Sequence, residues 1–454
     1  MNVNRRKFLV SGAMLAGAAA ASPAFAAQKA DSAKTAPKGG KGGEPAATGP
    51  LNISAPALQN GAATSMGVAW AVSADANGFV DYSETPDLSC SRRVKCGGFR
   101  VTGMNNLVMQ VRLTGLKPAT KYYYRIGADR IAYKGGYDMK IVGTEIDPHI
   151  YSFTTLGEGA KSSFCVINDT HARWKPFEMA VNKVNEINPS CVIWNGDACN
   201  TQETLQSLVP IFLAPKIEHP DYATSIPYLF VCGNHDCRGR ASRELERVVM
   251  FRQPEERSSR DWDLGRNFAQ RVGDIAIIGL DTGEDKPDSS KVFAGLFNMG
   301  PYCEAQTAWL ADALKRDEIK SAPFIVVFCH IPLFFPNATG RFANDWGLWH
   351  RPCANLWGPH LKAAGVQLVV SAHRHDYSYD APTADRPWAQ IVGGGPELGE
   401  RVISWTPPRK IVKDPSKFPT VIHGEIKDGR LVVTVHDVMN NKTVDTFSYA
   451  PRKV

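Results

Sequence analysis

Eight residues of types that bind transition-metal cations fall in an ordered series along this sequence. Asp169 and His171 come first, then Asp197, then Asn234 and His235, then His330, and last His373 and His375. Neutral imidazole, carboxylate and amide oxygen together suit borderline ions such as zinc, iron or manganese. One carboxylate can bridge two such ions, and a paired site activates water and clamps the oxygens of an in-line displacement at phosphorus. The chemistry to expect is hydrolysis of a phosphate ester.

Each group follows an apolar run. Phe164-Cys165-Val166-Ile167 precedes Asn168-Asp169-Thr170-His171, and Cys191-Val192-Ile193-Trp194 precedes Asn195-Gly196-Asp197. Tyr228 to Cys232 precedes Gly233-Asn234-His235-Asp236, Phe324 to Phe328 precedes Cys329-His330, and Gln367 to Val370 precedes Ser371-Ala372-His373-Arg374-His375. Runs this continuous read as strands buried on both faces of an α/β core. Ligands of such sheets collect at the carboxyl ends of strands, so the eight groups are expected on one edge of one sheet. Gly196 and Gly233 would let the backbone turn sharply enough to bring short side chains to an ion. A further strand is read at Ile275 to Leu280. Apolar spacing predicts helices over 176–187, with Phe177, Ala180, Val181, Val184 and Ile187 inward, and over 304–315, with Ala308, Leu310 and Leu314 inward.

The remainder of the chain has a different texture. Residues 1–27 hold Arg5-Arg6-Lys7, a small apolar stretch and Ala24-Phe25-Ala26, the layout of a twin-arginine-type export signal. Residues 28–50, rich in Ala, Gly, Lys and Pro, read as a flexible linker. Residues 51–156 carry short alternating runs, Met66 to Val72, Val80 to Tyr82 and Leu107 to Leu113, that predict an all-β sandwich. Thr420 to Tyr449 alternates again and adds strands. The net charge of +7 is concentrated at the N-terminus: residues 1–27 contribute +3 and residues 28–50 contribute +2. The near-neutral body carries no basic footprint for nucleic acid. No apolar run after the N-terminus is long enough for a transmembrane segment. The expected partners are therefore a small-molecule phosphate ester and, during export, the twin-arginine machinery, with a periplasmic or extracellular destination.

Of the ten cysteines, Cys165, Cys191, Cys232 and Cys329 sit within strand runs and are expected to be buried thiols. Cys90 with Cys96 is the favoured bridge, and Cys232 with Cys237 a weaker one.

The order Asp-x-His, Gly-Asp, Gly-Asn-His-Asp, His, x-His-x-His resembles the calcineurin-like metallophosphoesterase superfamily over about residues 162–380. The stretch Leu113 to Gly127 is similar to the end of a fibronectin type III-like domain, and the chain from 51 onward resembles purple acid phosphatases and their bacterial relatives. The resemblance implies a four-layer β-sandwich flanked by helices over 157–454, preceded by a fibronectin type III-like sandwich over 51–156. It also implies a site: Asp169, His171 and His375 on a first metal, Asp197 bridging, Asn234, His330 and His373 on a second, and His235 facing the substrate, with a metal-activated hydroxide as nucleophile. Phosphomonoesters are the favoured substrates; the alternatives are a phosphodiesterase of the same fold and a non-catalytic exported binding protein. The sequence departs from purple acid phosphatases at two places, Asn200 where they carry a metal-bound tyrosine and His171 where they carry glycine. An imidazole in place of the phenolate implies a protein that is not purple. Asp236 is expected to orient its neighbours, Arg238, Arg240 and Arg374 to be solvated, Trp174 and Trp346 to pack under loops, and His219, His350, His360, His423 and His436 to lie off the site.

Overall fold

The computed structural model describes residues 49–95, 103–253, 262–335, 351–404 and 408–453. The expected export signal, almost all of the expected linker, Cys96, Trp346 and His350 lie outside the described residues. Two sheets organise the strands that lead to the candidate residues. The first has nine strands in the order Lys442–Tyr449, Arg430–Asp437, Thr420–Lys427, Ser163–Ile167, Cys191–Asn195, Tyr228–Val231, Ala57–Gln59, Ser65–Ala71 and Val108–Thr114. The second has six, in the order Phe268–Val272, Ile275–Leu280, Phe324–Cys329, Leu368–Ser371, Ala389–Val392 and Ser378–Asp380.

Side-chain alternation shows how the sheets stack. Phe164, Val166, Cys191, Ile193, Leu229 and Val231 from the first sheet share one core with Ile275, Ile277, Phe324, Val326, Phe328, Leu368 and Val370 from the second. The opposite faces, with Cys165, Ile167, Val192, Trp194 and Phe230 on one side and Ile278, Leu280, Val327 and Val369 on the other, lie against helices. Helices α1 (Trp174–Ile187) and α2 (Leu205–Phe212) cover the first sheet. Helices α3 (Met299–Ala313), α4 (Asp317–Lys320) and α5 (Arg351–Ala363) belong to the layer over the second. The result is a helix–sheet–sheet–helix stack, in which strands buried on both faces read as unbroken apolar runs.

Two expectations need correction. In α3 the inward residues are Tyr302, Cys303, Gln306, Trp309, Leu310 and Ala313, whereas Ala308 is exposed. Cys232 and Cys237 are both free thiols: Cys232 directly follows the buried strand Tyr228–Val231, while Cys237 closes the 3-10 turn His235–Cys237, its Sγ directed at the Gly233 carbonyl 3.8 Å away.

The N-terminal region is tied into the first sheet. Strand Ala57–Gln59 runs parallel to Tyr228–Val231 in register Gln59↔Tyr228, and Ser65–Ala71 and Val108–Thr114 continue outward from it. Strand Ser65–Ala71 is buried throughout because its faces serve two cores. Met66, Val68 and Trp70 point into the N-terminal sandwich, while Ala69 and Ala71 point toward the helix layer. The second sheet of the sandwich pairs Arg92–Lys95, Ala76–Ser83, Lys121–Gly135, Asp138–Ile146 and Tyr151–Thr154. Two of its tyrosines are structural: the Tyr122 hydroxyl accepts from the Lys117 amide at 3.0 Å, and the Tyr124 hydroxyl donates to the Thr224 carbonyl at 2.7 Å. No helix among the described residues is long and apolar enough to cross a membrane.

Candidate metal centre

The five ligand-bearing strand ends meet at one rim, but the rim belongs to two sheets. Asp169, His171, Asp197, Asn234 and His235 follow strands of the first sheet, and His330, His373 and His375 follow strands of the second. The expectation of a single sheet edge is thereby corrected. A bridge across the gap fixes the distance between the two rims: the Asn195 side-chain amide donates to the Cys329 carbonyl at 3.3 Å and the Val370 carbonyl at 3.2 Å.

Backbone strain is concentrated here. Asp169, His171, Asp197, His373 and His375 all have left-handed φ, between 46° and 69°. Non-glycine residues held there cost of order 1 kcal/mol each and persist where the surroundings over-determine them, characteristically at functional sites. Gly196 also has positive φ (81°), and a Cβ there would collide with the His330 ring. Gly233 has no such φ; its bareness leaves room for the Asp197 carboxylate. Ala372, at the start of the last motif, stays outside the left-handed set.

All eight candidate residues are drawn together. Asp169 Oδ1 lies 3.3 Å from His375 Nε2 and 3.7 Å from His330 Nε2. Asp197 Oδ2 lies 3.2 Å from His330 Nε2, 3.7 Å from His171 Nε2 and 4.0 Å from His235 Nε2. The His171 and His375 Nε2 atoms face each other at 3.1 Å, and His373 Nδ1 faces Asn234 Oδ1 at 2.9 Å. Three overlapping groups have the spacing of cation sites: Asp169, His171 and His375; His171, Asp197 and His235; Asp197, His330 and His373.

The donor set fits a pair of cations on independent grounds. Asp169 Oδ1 and His330 Nε2 are buried and have no hydrogen-bond partner, although both point into the cluster. Two carboxylates are concentrated among imidazoles. Burial pushes the Asp169 carboxyl up, but the His375 and His330 rings outweigh it and hold it at about 2. Burial pushes His330 down, yet Asp197 and Asp169 raise it to about 9, and Asp169 with Glu397 raises His375 to about 10 against the same penalty. Burial leads in lowering His171 to about 4 and His373 to about 3. Two negative charges thus call for positive charge at the centre, which protons or divalent ions can supply.

Surrounding groups fix the ring orientations. His330 Nδ1 pairs with the Asn195 carbonyl at 2.8 Å, His235 Nδ1 with the Asn200 carbonyl at 2.8 Å, and His375 Nδ1 with Glu397 Oε1 at 2.9 Å. In each case the Nδ1 contact leaves Nε2 directed at the cluster. Asp236 acts as expected, its Oδ2 accepting the amides of Asp197 and Gly233, each at 2.8 Å. Burial, and then the neighbouring Asp197 charge, raises its carboxyl to about 7.

Sequence reasoning missed Glu397 and the partners of Arg238. Glu397 follows Gly393-Gly394-Gly395-Pro396 at the end of strand Ala389–Val392, a sixth strand end at the same rim. A glycine run after a buried strand is the signal that could have found it. Arg238 is not simply solvated: Nε and Nη2 bind Glu284 at 2.7 and 2.5 Å, Nη2 binds Asp285 at 3.1 Å, and Nη1 lies 3.2 Å from both His235 ring nitrogens. Arg240 is exposed, and Arg374 lies over the Phe335 ring. Trp174 packs against the helix-side core. His219 is exposed and His423 hydrogen-bonds Ser163, away from the centre.

Comparison with known proteins agrees with this geometry. The family described as calcineurin-like phosphoesterase matches residues 162–377, and the purple acid phosphatase N-terminal domain matches residues 53–140. No curated protein matches the sequence. Among solved structures, a purple acid phosphatase from yellow lupin (Lupinus luteus) seeds superposes with a TM-score of 0.59 at 16% identity, covering 88% of this chain and 75% of that one. PhoD superposes with a TM-score of 0.58 at 12% identity, covering 88% of this chain and 90% of the other. At these identities the likeness is one of fold. Family match, sheet order and clustered donors agree: this chain carries a calcineurin-like phosphoesterase domain preceded by a purple acid phosphatase N-terminal domain.

Proposed function

We propose that this protein is an exported, dinuclear-metal phosphoesterase that hydrolyses phosphate esters, with monoesters preferred. The observation that carries the reading is the gathering of eight ligand-type residues into overlapping cation-spaced groups, within which buried Asp169 Oδ1 and His330 Nε2 make no hydrogen bond. In this reading Asp169, His171 and His375 hold one ion, Asn234, His330 and His373 hold the other, and Asp197 bridges. The ions, zinc, iron or manganese, would supply Lewis acidity toward phosphate oxygens and lower the pKa of water. His235 presents Nε2 to the substrate, with Nδ1 held by Asn200, and delivers a proton to the leaving oxygen. Arg238, clamped by buried Glu284 and Asp285, fixes the face of that ring. Residues 51–156 form the sandwich that braces the catalytic domain over 157–454, and residues 1–27 direct export.

The test is elemental analysis combined with turnover of p-nitrophenyl phosphate and its bis ester. Two ions per chain and faster monoester turnover are expected. Faster diester turnover would move the assignment to a phosphodiesterase, and an absence of stoichiometric metal would favour a binding protein. A second expectation concerns Glu397. Glu397→Gln should weaken metal affinity by about 10- to 100-fold, because the carboxylate fixes the His375 ring and its basicity. Calorimetric metal titration measures this directly, and turnover at saturating metal should change little.

A further inference from the structure

Cys303 lies in the second turn of α3 and Cys353 in the first turn of α5. Both are buried, in the apolar layer that covers the second sheet. Their sulfurs approach to 3.2 Å, although 50 residues separate them in sequence. A disulfide requires a sulfur–sulfur distance near 2.05 Å, so closure needs a relative movement of about 1 Å.

We propose that Cys303 and Cys353 are a disulfide-forming pair that locks α3 to α5 when the chain folds in the presence of a disulfide oxidant. Each thiol gives up one hydrogen and a single S–S bond forms. The two electrons and two protons pass to the oxidant disulfide, which leaves as two thiols. The Cys353 thiol is held well above its ordinary pKa, first by the contact with Cys303 and then by burial, so it stays protonated in the closed core. The thiolate is the reactive form. Oxidation therefore belongs to folding or transient opening, not to attack on the finished surface.

The lock acts on the wall of the site. One turn beyond Cys303, Gln306 Nε2 donates to the Asp281 carbonyl at 2.8 Å. The same loop presents Glu284 and Asp285, which clamp Arg238 over His235. Fixing α3 to α5 thus fixes the base of that loop. The cross-link also closes a long loop, and stabilisation grows with loop length. The inference stands on the packing of the two helices and does not depend on the catalytic assignment.

The full chain is produced once in a reducing cytosol and once in a cytosol made oxidising, then denatured and alkylated with iodoacetamide without reductant. In the oxidised preparation Cys303 and Cys353 should both escape alkylation and yield a cross-linked peptide containing the two. Its thermal midpoint should lie about 5 °C above that of the reduced protein. The difference should vanish in Cys303→Ser/Cys353→Ser; if that variant folds poorly, the comparison of oxidised with reduced wild type is sufficient. Full alkylation of Cys303 and Cys353 in the oxidised preparation, a cross-link from either of them to another cysteine instead, or identical midpoints would each overturn the proposal.

Discussion

Asp197→Asn should lower turnover by about 10³-fold or more and leave the chain short of metal, while far-ultraviolet circular dichroism stays unchanged. A factor of that size corresponds to about 4 kcal/mol of barrier. The carboxylate is 2% exposed and common to two of the three cation-spaced groups. Its Oδ2 faces His330, His171 and His235, while Oδ1 accepts the His235 amide at 2.9 Å. The amide variant keeps the shape and one acceptor but loses the negative charge that, in the proposed centre, would attract both ions. It also turns an NH2 group either toward imidazoles or toward the His235 N–H. Unlike loss of a terminal ligand, loss of a bridge weakens two sites together. Metal per chain is read by elemental analysis alongside kcat. Near-normal turnover by metal-stripped Asp197→Asn protein would sink the two-ion assignment.

The legibility of this molecule was uneven, for physical reasons that particular residues expose. Strands such as Ser163–Ile167 and Phe324–Cys329 are buried on both faces, so their apolar runs and their polar ends could be read directly. That the strands divide between two stacked sheets could not. Phe164 and Phe328, whose rings meet edge-on at 5.3 Å across the inter-sheet core, look in sequence like any other strand residues. The start of α3 at Met299 was also hidden. The amides of Met299 and Gly300 are capped by Asp288, more than ten residues upstream, while Gly300 and Pro301 read locally as turn residues. Pro301 is tolerated because the first turn needs no donor there. The junction of Gln59 with Tyr228 depends on a tertiary contact that no local pattern announces. At the site, the candidate residues could be picked out by type, but left-handed backbone at Asp169 or His373 could not, because nothing in an aspartate or a histidine calls for it outside its context.

His235→Ala should reduce kcat by about 10²- to 10⁴-fold, the range for loss of a positioned proton donor, with metal content retained. His235 is more open than His330 and as open as His375: its side chain is 26% exposed, whereas that of His330 is fully buried. Its Nε2 stands 4.0 Å from Asp197 Oδ2, the longest of the Asp197–imidazole contacts. A residue that looks outward from the cluster is placed to meet a substrate oxygen. The leaving group separates the two roles left open by its membership in the group with His171 and Asp197. If His235 protonates the leaving oxygen, the loss is small for p-nitrophenyl phosphate, whose phenolate departs unaided, and large for an alkyl phosphate, whose alkoxide does not. If His235 is instead a ligand, both substrates lose equally and metal content falls. Equal losses at full metal occupancy would point to stabilisation of charge on the phosphate oxygens, with the proton supplied by solvent, and the acid role would be withdrawn.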